Sequence, residues 1–116
     1  MIPNLRACIA NVAARLNGGD VNGAVYDHTQ GKHIPVSGSV GDAAVNVFDH
    51  DRRAHVTGSA PNLYDHGTRR HVSLVMNGTT FTGYDHFSGL NYSGRINGCA
   101  VTIFDYESGR HHQFTV

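Results

Sequence analysis

Histidine and aspartate, the side chains best suited to metal binding and proton transfer, recur in this 116-residue chain at a regular interval. Nine histidines are present, and most belong to one pattern. Tyr26-Asp27-His28, Phe48-Asp49-His50, Tyr64-Asp65-His66 and Tyr84-Asp85-His86 share it, and Phe104-Asp105-Tyr106 is a fifth copy with Tyr in place of His. Beyond a short loop each copy continues with His33, His55, His71, Asn91 or His111. Neutral imidazole nitrogen suits zinc, copper or nickel, and two histidines facing one another on paired strands can share an ion. His28 with His33, His50 with His55, and His66 with His71 are the candidate pairs. A pair supplies two ligands where structural zinc takes four, so neighbouring hairpins or two chains would have to converge. The plainer reading makes His a repeat residue that stacks on its neighbour and bonds to the turn. That reading is the expectation, with no cofactor, and a transition-metal protein is the alternative.

Asp beside His also suggests a catalytic base and the group that orients it. Consecutive strand residues point to opposite faces, however, so the two cannot hydrogen-bond as a triad does. Glu107 is the only glutamate, and no phosphate loop, nucleophile elbow or metal-binding HExxH helix is present. A non-catalytic binding or structural module is therefore expected. The aromatics Tyr26, Phe48, Tyr64, Tyr84 and Phe104 supply its candidate ligand surface, suited to stacking sugars or apolar partners, unless they pack on one another.

The elements that position these residues are short alternating strands from about residue 20 onward. Asp20, Asp42, Gly58, Gly78 and Gly98 each stand six residues before their unit's aromatic. Asn22-Gly23, Asn77-Gly78 and Asn97-Gly98 accept the positive φ of tight turns. In the loops, Gly31, Gly89 and Gly109 take a position that commonly needs a left-handed residue, and Arg53 and Arg69 replace glycine in units two and three, so those two loops are expected to differ. A symmetric loop would place His28 opposite His33, and likewise in the other units. On that register one face collects Val25, Ile34, Val36, Val45, Val47, Val56, Leu63, Val72, Leu74, Tyr92, Val101, Ile103 and Phe114 as the core. The aromatics and histidines take the other, partly wet face. The inverse, with the aromatics as core, is the competing arrangement. The five Asp residues fall on the core side beside the loops, where loop N–H groups would satisfy them as turn-formers.

Residues 3–17 carry Leu5, Cys8, Ile9, Val12, Ala13 and Leu16 at helical spacing, with Pro3 at the start and Gly18-Gly19 as the stop. Asn4, Arg6, Asn11 and Arg15 are read as its solvated face. Nine basic and nine acidic side chains balance, and a charged fraction of 16% leaves no footprint for nucleic acid or anionic membrane. No apolar run is long enough to span a bilayer and no signal peptide is visible, so a soluble cytoplasmic protein is expected, with homo-oligomerisation open. Cys8 and Cys99 are read as small buried hydrophobes.

The whole chain, 1–116, is read as one mainly β domain: an amphipathic N-terminal α-helix, then an antiparallel meander of five repeated hairpins over 20–116. A repeating meander must hide its edges, so a closed or nearly closed barrel with the helix covering or plugging an opening is expected; a solenoid and a two-sheet sandwich are the alternatives. The segments Tyr26-Asp27-His28-Thr29-Gln30-Gly31-Lys32 and Phe104-Asp105-Tyr106-Glu107-Ser108-Gly109-Arg110 resemble the YD repeats of Rhs-type toxin shells, where Tyr-Asp precedes Gly-Arg. This chain has one more residue in the gap. Its turn glycines and aromatics are also slightly similar to MORN repeats, without that family's tryptophan. Both resemblances imply a β-repeat scaffold and bring no catalytic residues with them.

Overall fold

The alternating pattern becomes eleven strands that follow one helix in a computed structural model describing residues 1–19, 21 and 23–116. Asp20 and Asn22, where the first unit's opening and part of its Asn-Gly turn are expected, lie outside the described residues. Helix α1 spans Pro3–Leu16, and the strands are β1 (Ala24–Asp27), β2 (Lys32–Val40), β3 (Val45–Asp49), β4 (Ala54–Ser59), β5 (Asn62–Asp65), β6 (Arg70–Ser73), β7 (Val75–Asn77), β8 (Thr80–Asp85), β9 (Leu90–Asn97), β10 (Ala100–Asp105) and β11 (Arg110–Thr115). Apart from β6 and β7, each strand pairs antiparallel with the next, β11 returns to β1, and β6 reaches β8 through Val72 opposite Asp85. Ten strands thus close a barrel, with β7 as one extra strand on β8. Closure removes both sheet edges, which a solenoid or a sandwich would leave open.

The predicted returning strand of unit three, His71 to Met76, breaks at Leu74. Its side chain stays in the core while its N–H donates to the Pro61 carbonyl at 2.9 Å. Gly83 faces this break, and a Cβ there would collide with the Ser73 carbonyl and the Tyr92 ring. Only glycine lets the strands approach so closely at that corner.

The aliphatic face is the inner one. All thirteen residues assigned to it are buried, and the competing arrangement with the aromatics as core is excluded. Inside the barrel runs α1, with Leu5, Ala7, Cys8, Ile9, Ala10, Val12 and Ala13 wholly inaccessible. Its alanines keep the helix slim enough to fit a lumen with side chains pointing in from all sides. The solvated helix face is therefore corrected: Asn4, Arg6 and Asn11 are buried. A single apolar stripe implies water on the opposite side only when the partner is one surface, and a closed barrel surrounds the helix. Among the described residues neither amide atom of Asn11 has a hydrogen-bond partner. Arg15, near the helix end, reaches out to the Gly38 carbonyl at 2.8 Å. No helix among the described residues is long and apolar enough to cross a membrane.

Two local expectations also change. Arg53 and Arg69 adopt φ of 56° and 58°, the left-handed conformation that Gly31, Gly89 and Gly109 take, so the loops do not differ in this respect. The hairpin frame imposes the conformation on arginine at a local cost of about 1 kcal/mol. The register also moves: Asp27 pairs with Lys32 and Tyr26 with His33, and the other hairpins follow. Each histidine after the loop thus faces the aromatic rather than the first histidine. A shift of two residues leaves every side chain on its expected face.

Candidate functional site

The repeat places different chemistry on the two sides of one barrel rim. On the inner side Asp27, Asp49, Asp65, Asp85 and Asp105 form a ring, each at most 1% exposed. Each accepts a loop N–H two residues on: from Thr29 at 2.9 Å, Asp51 at 2.9 Å, Gly67 at 3.2 Å, Phe87 at 3.1 Å and Glu107 at 3.0 Å. The turn-forming role is as expected.

The cations that share the ring escaped the sequence reading. Arg52 bridges two hairpins, donating Nε to Asp49 at 2.7 Å and its terminal nitrogens to Asp65 at 2.9 and 3.0 Å. Burial opposes the charge on Arg52, but these bonds outweigh it and hold the guanidinium more firmly protonated than usual. Arg6 donates to Asp105 at 3.0 Å, and Asn4 donates to Asp49 at 3.1 Å and Asp51 at 2.8 Å. The Met1 amino group lies 3.1 Å from Asp105 and also meets Glu107. The carboxylates therefore encircle the positive end of the α1 dipole, where negative charge is favoured. Their spacing of roughly twenty residues hides this convergence in the sequence; the basic residues near the start of α1 were the available signal.

On the outer side of the same rim the aromatics stand between rings. Tyr26 lies 4.8 Å from both His28 and His33. Phe48 lies 4.8 Å from His50 and 4.6 Å from His55, and Tyr64 lies 4.8 Å from His66 and 5.0 Å from His71. Most contacts are edge-on, the favoured aromatic geometry. Within each hairpin the aromatic ring is thus interposed between the two histidines proposed as a metal pair. The closer imidazole approaches join neighbouring hairpins instead: His55 to His66 at 6.5 Å and His71 to His86 at 6.3 Å. His28, His50 and His66 also use Nε2 toward Thr115, Ser37 and Thr57 hydroxyls at 2.8, 2.6 and 2.9 Å. Among the described residues no group of three or more His, Cys, Asp or Glu side chains is placed to hold a metal ion.

His112 stands apart, buried between the Thr29 hydroxyl at 2.9 Å and the Ser108 hydroxyl at 2.8 Å. Desolvation first, and then the nearby Arg6 charge, hold its pKa below the usual histidine value. Burial likewise pushes the Cys8 thiol up to about 12, and the Asp49 charge adds to this. Cys8 is the buried hydrophobe expected, but Cys99 is exposed in its turn, where little packs on it.

One sector of the outer face differs from the rest. Units four and five carry Asn91 and Tyr106 where other units have histidine, and Tyr84 has only one imidazole neighbour, His86 at 4.8 Å. Tyr84 is 37% exposed and Tyr106 56%, and between them opens a groove of about 440 Å³. Val75, Asn91, Ser73 and Ser93 also line it. No family model, no curated protein and no solved structure matches the chain.

Proposed function

We propose that the protein is a non-catalytic binding module that presents its ligand surface on the outside of the barrel. One observation carries this reading: α1 fills the lumen, so the space that holds a ligand in many barrels is packed with protein, while on the outer rim Tyr84 and Tyr106 are exposed and Tyr26, Phe48, Tyr64 and Phe104 are half-buried. The inward aspartates accept loop N–H groups, and Asp49, Asp65 and Asp105 also meet guanidinium groups, which suits a structural role. Protein-detected NMR with a fragment library tests the reading. Shifts confined to amides of the outer rim are expected, and shifts centred on α1 would count against it. Chromogenic ester, phosphate and glycoside substrates are expected to turn over no faster than in buffer; turnover abolished by Asp49→Asn would make the protein an enzyme.

The second reading, a transition-metal protein, draws on the two cross-hairpin approaches, His55 with His66 and His71 with His86. The originally paired residues would then serve in different partnerships, with water completing the coordination. Calorimetric titration with nickel and zinc tests it: micromolar binding lost in His66→Gln is expected, and no heat at millimolar metal removes the reading.

A further inference from the structure

Three junctions between hairpins share one register. His66 donates its backbone N–H to the His55 carbonyl at 2.9 Å, His86 to His71 at 3.1 Å, and Tyr106 to Asn91 at 3.2 Å. The same backbone therefore carries an imidazole pair at two junctions and an amide beside a phenol at the third. The fold does not demand that difference, since histidine fits the equivalent places. Both replacements fall on the same junction, and that junction borders the groove between Tyr84 and Tyr106.

The chemistry of the groove is specific. Among the described residues its lining holds no charged side chain, so it offers no opposite charge to a phosphate, a carboxylate or an ammonium group. Two exposed phenol rings flank it, each offering an apolar face with a polar tip. The Asn91 amide supplies donors and an acceptor at one end, and the Ser93 hydroxyl supplies both functions beside it. Neither is engaged in a side-chain hydrogen bond with another described residue, whereas Thr57, which stands where Ser93 does in its own hairpin, is held by His66 at 2.9 Å. A second hollow of about 260 Å³ shares Thr82 and Ser93 with the groove, so the surface continues along the barrel toward Phe104, with Arg95 and His111 on its lining. Flat aliphatic faces edged by neutral hydroxyls, repeated along a chain, are what such a surface complements.

We infer that the Asn91–Tyr106 junction binds a neutral oligosaccharide, with pyranose rings stacked on Tyr84 and Tyr106 and their hydroxyls bonded to Asn91 and Ser93. This inference rests on the outer-face binding reading and names its ligand class. The test is calorimetric and NMR titration with neutral β-linked glucose, β-linked N-acetylglucosamine and α-linked glucose oligomers. At least one series binds saturably, with shifts centred on β8, β9 and β10. Asn91→His and Tyr106→His restore the residue of the other units and so keep the fold. Each weakens that binding at least tenfold, as Tyr84→Ala does, while Ser59→Ala, at an exposed position of β4 outside the groove, leaves it unchanged. No saturable binding in any series, or binding indifferent to Asn91→His and Tyr106→His, overturns the inference. The broader reading falls separately, only when the fragment screen also leaves the outer rim unmoved.

Discussion

The two sides of the loop rim are built from neighbouring residues of the same repeat, yet they tolerate different variation. Inside, all five units keep aspartate; outside, the position after it is histidine four times and tyrosine once. The inner carboxylate has several partners at once: a loop N–H, and in most units a cation or amide from α1 or from Arg52. Replacing any one leaves buried polar groups without partners, which costs about 1–3 kcal/mol each. The outer ring has a stacked aromatic neighbour and, in three units, one hydroxyl partner, and exchanging it costs less. The inner side is therefore constrained by folding, and the outer side is where the units are free to diverge.

The largest expected effect tests the inner side. Arg52→Met removes the cation shared by Asp49 and Asp65. It is expected to lower stability by about 3–5 kcal/mol in urea denaturation, because two carboxylates stay buried with their bridge gone. A loss below 1 kcal/mol would mean that the loop N–H groups alone satisfy the ring. The opposite sign is expected deeper in the lumen. Asn11→Leu replaces an amide lacking partners with an apolar group of similar size, and unfolding free energy should rise by about 1–2 kcal/mol.

Outer-face truncations sharpen the comparison at smaller scale. Tyr64→Ala removes a ring stacked by two imidazoles and is expected to cost about 1 kcal/mol, whereas Tyr84→Ala, with one such neighbour, should cost about half as much. Equal losses would remove the energetic distinction between the groove and the rest of the rim.

The smallest effect concerns protons. The folded-state pKa of His112 lies below its unfolded value of 6.5, so below that pH the unfolded chain binds more protons. Its contribution to stability is present above about pH 6.5 and is lost as pH falls toward the depressed folded value. Urea midpoints should decline from pH 8 to pH 5, and the decline should flatten in His112→Gln. A decline unchanged in that variant would show that His112 does not cause it.

Much of this is legible in the sequence. Period two with eleven aliphatics, Tyr92 and Phe114 on one face gave the core, and the Asp after each aromatic announced a turn that needed its carboxylate. The candidate site was legible only as a set of aromatics and histidines, because their grouping depends on register and on which hairpins are neighbours. The symmetric-loop assumption paired His28 with His33; the actual pairing inserts Tyr26 between them, and imidazoles instead meet across hairpins.

Local pattern and turn chemistry thus determined the repeat, its faces and the role of the aspartates, since those depend on residues a few positions apart. Only closure of the barrel decided that Asn4, Arg6 and Asn11 are interior, because a helix stripe reads as amphipathic until sheet surrounds it on every side. The pairing of neighbouring hairpins brought Arg52 between two aspartates and set Asn91 beside Tyr106. Those contacts join residues whose separation along the chain carries no local signal, and they arise from the stagger of strands around a ring.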